Sequence, residues 1–288
     1  MFEIRHTRRL TPVTKLFEVD APLVAKSGQP GQFVILRVHG HGERIPVTIT
    51  DLDPAAGTVT VVIQEVGATS KMANALETGD RFHDLAGPLG EPAPLRDSGH
   101  VVCVGGGFGA AAILTILKGL KPKATRTSAI VGARTAELVI LGDRLGEAAD
   151  DLFICTDDGS AGYHGLVTGK LEELIASGEP VDEIIAIGPM VMMRAVAATT
   201  APHGIFTLVS LDPIMIDGTG MCGACRVTVA GKTKFACVDG PLFEATQIDF
   251  DELVRRNKTY RDEEAAALDR FEQANCRAEA LAPAAAGA

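Results

Sequence analysis

The stretch GHVVCVGGGFGAAAILTILKGL, residues 99–120, limits the fold more than any other part of the chain. An unbroken apolar strand passes through a glycine turn straight into a helical segment. A strand without alternation must be covered on both faces, which is the condition of a parallel sheet flanked by helices. Four further strand-like runs follow: TSAIVGA, DLFICTDD, DEIIAIG and GIFTLVS. Helical stretches separate them, namely RTAELVILGDRL, GLVTGKLEELIA and PMVMMRAVAATT. Strands alternating with helices predict an α/β doubly wound parallel sheet over residues 98–210.

The preceding residues, 1–97, have a different texture. FEIRHTRRL, VTKLFEVD, GQFVILRV, RIPVTITDLD and GTVTVVIQEVG are short β-branched or alternating runs broken by Gly, Pro and Asp. That rhythm predicts an antiparallel β-barrel or sandwich, with GPLGEP from Gly87 as a loop between domains. A cysteine-bearing segment occupies 211–246. In 247–288, FDELVRRNKTYRDEEAAALDRFEQA reads as one charged amphipathic helix before a frayed tail. The chain has 288 residues, 46% of them hydrophobic, and no Trp, so aliphatic side chains build the cores. The net charge of −10 opposes nonspecific nucleic-acid binding. No apolar run approaches the ~18 residues of a membrane span, and the charged start MFEIRHTRRL is no signal peptide. A cytoplasmic protein is expected.

Candidate sites collect where strands end. Gly105, Gly106, Gly107, Phe108 and Gly109 follow the first parallel strand, where glycines let a backbone approach a pyrophosphate at a helix N-terminus. The pattern is not a strict G-x-G-x-x-G. The other carboxyl ends carry Arg134, then Asp157, Asp158 and Gly159, then Gly188 and Pro189, all on the edge where such folds bind ligands. In the first domain, GERIPVTIT places Arg44 and Thr48 beside Pro46, a guanidinium for a diphosphate and a hydroxyl for a flavin ring. EVGATSKMANAL adds Gly67, Thr69 and Ser70 as a second anion site. Each of these residues also has an ordinary reading as a solvated or turn-forming group.

Six cysteines are present. Cys103 and Cys155 lie in apolar strands, where buried, inert thiols are expected. Cys222, Cys225 and Cys237 cluster in DGTGMCGAC and KFACVDG, with glycines that turn backbone N–H groups towards sulfur. Beside flavin and nucleotide signals, three thiolates suit a [2Fe–2S] centre better than zinc. Asp217 stands where a C-x4-C-x2-C pattern has its first cysteine, and a carboxylate ligates iron through oxygen. The alternatives are that Asp217 caps a turn, with Cys276, Asp239 or an open position completing the set.

Taken in order, RIPVTIT, GGGFGAA, TDDGSAGYHG, IGPMVMM and DGTGMCGAC…CVDG resemble the ferredoxin–NADP reductase superfamily over residues 1 to about 270. Two branches come into question: the dihydroorotate dehydrogenase electron-transfer subunits, and the small subunits of NADH-dependent ferredoxin:NADP oxidoreductases, also known as sulfide dehydrogenase subunits. Asp217 in place of cysteine favours the second. The resemblance implies FAD held by Arg44, Pro46, Val47 and Thr48 and by Ile63, Gln64, Gly67, Thr69 and Ser70. It implies NAD(H) or NADP(H) at Gly105–Gly109, Arg134, Asp157, Asp158, Gly159, Gly188, Pro189 and Met192. It implies a [2Fe–2S] cluster on Asp217, Cys222, Cys225 and Cys237. Phe108 and the pair Ala111-Ala112 depart from the commoner G-G-G-V-G-x-A-P form.

The implied activity is hydride exchange between NAD(H) and FAD followed by single-electron transfer to a partner, with no side-chain acid or base. The implied partner is a larger subunit resembling the small subunit of glutamate synthase, carrying flavin and [4Fe–4S] clusters. This chain has too few cysteines for those clusters. Ferredoxin would engage through that subunit, and electron bifurcation is a further reading. Competing readings are the electron-transfer subunit of dihydroorotate, sulfide or hydrogenase chemistry, and a passive electron relay.

Overall fold

The structure, a computed structural model, describes the backbone of residues 1–281 and the side chains through residue 274. The first unit comprises β1 (Phe2–Thr11), β2 (Thr14–Asp20), α1 (Pro22–Ser27), β3 (Phe33–Arg37), β4 (Ile45–Asp53), β5 (Thr58–Gln64), α2 (Ala68–Asn74), β6 (Arg81–Phe82) and β7 (Asp84–Leu89). Its strands pair antiparallel in the order β6-β1-β2-β5-β4-β3-β7. Only His83 separates the two edge strands, so the sheet nearly closes into the expected barrel. Alternation sends Phe17, Val19, Val34, Leu36, Ile49, Val59, Val61 and Phe82 inward. Phe17 and Phe82 meet edge-on with ring centroids 5.5 Å apart.

The second unit contains β8 (Ser98–Gly106), α3 (Gly109–Leu120), β9 (Ala124–Ala133), α4 (Gly142–Ala148), β10 (Asp151–Thr156), β11 (Tyr163–His164), α5 (Val167–Ala176), β12 (Glu183–Ile187), α6 (Met190–Thr200) and β13 (Phe206–Ser210). Then follow β14 (Arg226–Val229), β15 (Lys232–Phe235), α7 (Ala236–Asp239), β16 (Leu242–Glu244), α8 (Phe250–Arg256) and α9 (Arg261–Leu281). The large sheet runs β11-β10-β9-β8-β12-β13-β16, parallel except for β16. Strand order reverses between β8 and β12, which creates the crevice where doubly wound folds bind ligands.

Three expectations change. RTAELVILGDRL is not one helix: a short 3₁₀ turn at Ala136–Leu138 precedes α4. GPLGEP is not purely a linker, because Gly87, Pro88 and Leu89 complete β7. The charged C-terminal stretch breaks at residues 257–260 into α8 and α9. The break has a packing cause: α8 buries Phe250 and Leu253 in the core, whereas α9 is mostly exposed.

The cysteine segment is not an appendage. Its β16 returns to the large sheet beside β13. One continuous core joins Phe33 and Ile35 of the barrel, Val102 and Val104 of β8, and Cys225, Val227 and Cys237. Asp51 of β4 ties the barrel to the second unit by accepting from Lys118 and Arg144.

Candidate functional site

The turn after β8 is shaped by close packing. A side chain at Gly105 would meet Ala110 Cα at 2.8 Å, and one at Gly109 would collide with the Ile187 carbonyl. Gly106 makes room for the Met192 sulfur, and Gly188 lies against Gly106. The ends of β8 and β12 therefore touch, which brings Gly105–Gly109 together with Gly188, Pro189 and Met192. Gly107 differs: its φ is +55° and nothing lies within 4 Å of where its Cβ would be. This opening above the N-terminus of α3, which has no acidic residue in its first turn, fits an approaching pyrophosphate. Phe108 is 42% exposed beside it.

The neighbouring strand ends are more modest. Asp157 and Arg134 are exposed. Asp158 accepts from the Ser160 hydroxyl at 2.6 Å and the Ser160 N–H at 3.0 Å. Those bonds, the hydroxyl's foremost, hold its carboxyl below the usual range. Asp158 thus shapes the turn at Gly159, whose φ is +74°.

On the barrel, Arg44, Pro46 and Thr48 are at alternate positions and share the outer face of the β4 segment. Val47 packs inward, and Ile63 is 4% exposed in the barrel core. The Ile63 side chain is therefore taken up by the barrel core, and the Val47 side chain is partly buried against it. Gln64 is at the outer end of β5, two residues beyond the outward-packed Val62. Register sets Thr48 opposite Phe33 and Pro46 opposite Ile35. Arg44 lines a cavity of about 310 Å³ with Arg37, Ile35 and Asp84. Arg37, which sequence reasoning passed over, is ion-paired to Asp84. Arg44 has no acidic partner among the described residues, which leaves its guanidinium free for an anionic group.

The second anion segment is largely self-satisfied. Ser70 Oγ accepts from the N–H groups of Val66 (2.8 Å) and Gly67 (2.9 Å), capping α2. Thr69 donates to Glu43 at 2.5 Å. Gly67 itself faces open space.

In the cysteine loop, Gly218, Gly220 and Gly223 all have left-handed φ angles, from +67° to +81°. Asp217 accepts from Thr219 N–H at 2.9 Å and Cys222 N–H at 2.8 Å. The Thr219 bond foremost, opposed by burial and helped by the Cys222 N–H, holds this carboxyl below the usual carboxylate range. Cys225 and Cys237 are buried, unbridged, and have sulfurs 3.1 Å apart. Burial first, then Cys225, pushes the Cys237 thiol up to about 12. Cys222 is exposed. Among the described residues no three potential ligands converge on one point. The donor chemistry nevertheless fits an iron–sulfur centre: two buried thiols forced together are costly to ionise until a metal supplies positive charge. Asp239 turns away, accepting from Phe235 N–H at 2.7 Å and pairing with Lys234. The Cys276 side chain lies outside the described residues. Cys103 and Cys155 are buried, and burial raises both thiols, Cys155 to about 11.

The loop sits directly on the barrel. A side chain at Gly218 would strike Ile35 at 2.7 Å and Leu89 at 2.8 Å. Ile35 is the cross-strand partner of Pro46, so β4 lies one strand from the cysteine loop.

Comparison with known proteins agrees with this layout. Residues 212–249 match the family described as the iron-sulfur cluster binding domain of dihydroorotate dehydrogenase B. The chain is 43% identical over 255 residues to a dihydroorotate dehydrogenase B (NAD(+)) electron transfer subunit homolog of Thermotoga maritima, covering 88% of this chain and 90% of the relative. A chain in the structure of the NADH-dependent reduced ferredoxin-NADP oxidoreductase is 41% identical, with a TM-score of 0.89 over 94% of this chain and 98% of that one. A ferredoxin NADP+ reductase from Neisseria gonorrhoeae, solved with FAD and NADP, shares the fold at 18% identity and a TM-score of 0.57, covering 71% of this chain and 91% of its own. No described helix is long and apolar enough to cross a membrane.

Proposed function

This chain belongs to the family of dihydroorotate dehydrogenase B electron-transfer subunits, and from that premise we propose that it moves electrons between a nicotinamide nucleotide and a larger partner subunit. It is an NAD(P)H-dependent flavin and iron–sulfur oxidoreductase subunit with a ferredoxin-reductase-like fold. Bound FAD supplies the conversion between a hydride and single electrons, and the [2Fe–2S] centre supplies one-electron transfer.

The protein's contribution is placement. Gly107 leaves the opening for the nucleotide pyrophosphate, and Gly188, Pro189 and Met192 form the facing wall. Arg44 neutralises the flavin diphosphate while Pro46 and Thr48 present the outer face of β4 to the ring. Asp217, Cys222, Cys225 and Cys237 hold the cluster. The observation that carries this reading is the seating of Gly218 on Ile35, whose cross-strand partner is Pro46. It puts the cysteine loop one strand from the flavin strand. Beyond the loop, Met221 is 89% exposed and Ile216 47%, an apolar exit beside Cys222 suited to a protein partner.

The finer reading is the NAD(H)-linked small subunit of a ferredoxin:NADP oxidoreductase. Its partner would resemble the small subunit of glutamate synthase, with flavin and [4Fe–4S] clusters, and would deliver electrons to ferredoxin, including by bifurcation. Asp217 and the structural likeness at 41% identity support it. A second reading, a dihydroorotate-oxidising partner, is favoured by the names of the sequence relatives. Isolation of the native complex tests both. We expect FAD, iron and acid-labile sulfide on this chain, NADH-dependent dye reduction, and a co-purifying flavin/[4Fe–4S] subunit. Dihydroorotate oxidation by the complex would select the second reading. Zinc without acid-labile sulfide would remove the cluster, and a complex inert to NADH and NADPH would reduce the chain to a relay.

A further inference from the structure

Arg256 ends α8 and turns inward. Its Nη2 donates to the carbonyl of Ala224 at 3.1 Å, inside the loop between Cys222 and Cys225. Its Nε is buried and meets no acceptor. No carboxylate lies within 4.0 Å of this guanidinium among the described residues. The next residue, Asn257, donates to the Asp212 carbonyl at 3.2 Å. Together the two side chains grip both ends of the stretch that contains Asp217 and Cys222. The helix behind them is firmly seated: Asp249 caps it by accepting from Glu252 N–H at 2.8 Å, and Leu253 is 2% exposed in the core that includes Cys225 and Cys237.

A basic residue in the last helical turn commonly complements the helix dipole. Arg255, which is exposed, is available for that role. Arg256 is different, because a half-buried cation with an unpartnered donor and no counter-charge is costly. The missing negative charge is accounted for if the neighbouring loop becomes anionic on binding its cluster. Three thiolates and a carboxylate around a [2Fe–2S] core leave a net negative group, which becomes more negative by one when it accepts an electron. A fixed cation at the loop stabilises that reduced form most. Arg226 also touches the loop, donating to the Gly223 carbonyl at 3.2 Å, but it is exposed and water screens its charge.

We infer that Arg256 is the charge-compensating and positioning residue of the iron–sulfur loop, holding Ala224 in place and raising the cluster's reduction potential. This rests on the cluster assignment above. The test uses the full chain in its native complex, with variants Arg256→Lys, Arg256→Gln and Arg226→Gln. Iron, acid-labile sulfide and FAD are measured per chain, and the cluster potential is read by an EPR-monitored redox titration with the flavin potential as internal reference. Arg256→Lys should keep its potential close to the parent's. Arg256→Gln should retain FAD and titrate at a more negative potential, with a larger shift than Arg226→Gln. Loss of iron from Arg256→Gln but not from Arg256→Lys would equally support a need for the charge. Equal potentials in the parent and Arg256→Gln overturn the inference. So does an equal effect of Lys and Gln, whether on potential or iron content, since packing alone then explains Arg256. A parent chain without iron and sulfide refutes the cluster assignment instead.

Discussion

In the turn after β8, Gly105, Gly106 and Gly109 are glycines because neighbouring atoms leave no room, and only Gly107 is set by a left-handed φ. In the cysteine loop, Gly218, Gly220 and Gly223 all have left-handed φ, and at Gly223 the nearest atom to an added Cβ is Phe235 Cε1 at 3.7 Å. The first loop is built by tertiary packing and leaves open space only at Gly107. The second is set mainly by backbone conformation and steadied by Asp217, with tight packing only where Gly218 meets Ile35 and Leu89. A phosphate site can be made of backbone and empty space. A metal site needs the metal's charge to hold several thiolates together.

The sharpest way to break this contrast is Gly109→Ala. The new methyl would overlap the Ile187 carbonyl, backbone against backbone, and we expect a loss of about 3 kcal/mol in chemical denaturation. Gly223→Ala, where there is room, should cost only the left-handed penalty of about 1–2 kcal/mol. Equal costs would erase the distinction between the loops.

Removal of iron by a chelator comes next in size. Hydrogen exchange should rise across residues 217–239 and stay unchanged in the turn after β8. A rise in both would mean that the nucleotide loop also depends on the cluster. Gly107→Val should then lower the rate of NADH-dependent flavin reduction about tenfold, the equivalent of ~1.4 kcal/mol of strain and blocked approach, with FAD content unchanged. Unaltered reduction kinetics would remove Gly107 from the nucleotide site.

Asp217 tests the other loop more gently. Asp217→Cys should preserve the centre with an altered spectrum and potential, and Asp217→Ala should also release the N–H groups of Thr219 and Cys222. An unchanged spectrum and potential in Asp217→Ala would place the fourth ligand elsewhere, with Cys276 and then Asp239 to be tested.

The smallest effect lies at the opposite end of the sheet from both loops. His100 is buried, its Nε2 is 2.8 Å from Ser128 Oγ, and burial foremost lowers its pKa, helped by Arg126. Above its unfolded pKa of about 6.5, neither state of the protein protonates it. As pH falls below that value the unfolded chain takes up the proton first, so stability declines towards the depressed folded pKa. His100→Gln should flatten this acid slope while both loops keep their behaviour. An undiminished slope would assign it to other groups.

The lesson about legibility differs between the loops as well. Gly105–Gly109 stood out because strand, turn and helix follow one another in the chain, so the motif and its surroundings are local. Strand alternation groups Arg44, Pro46 and Thr48 on one face and turns Val47 to the other, but which face the barrel covers follows only from the closed sheet. Arg37 left no signal, since its link to Arg44 comes from the cavity they share. Arg256 was hidden for the same reason: it reads as a helix-end cation until α8 is folded beneath the Ala224 carbonyl.

By itself the sequence determined an antiparallel β unit, a doubly wound sheet, the cysteine set and their order along the chain. These follow from periodicity, turn chemistry and ligand spacing, each expressed within a few neighbouring residues. Tertiary structure alone decided that Met192 fills the space at Gly106, that β16 closes the edge of the large sheet, and that the cysteine loop rests on Ile35 beside β4. Those contacts join residues far apart in the chain, and they form because one shared apolar core buries all three segments together.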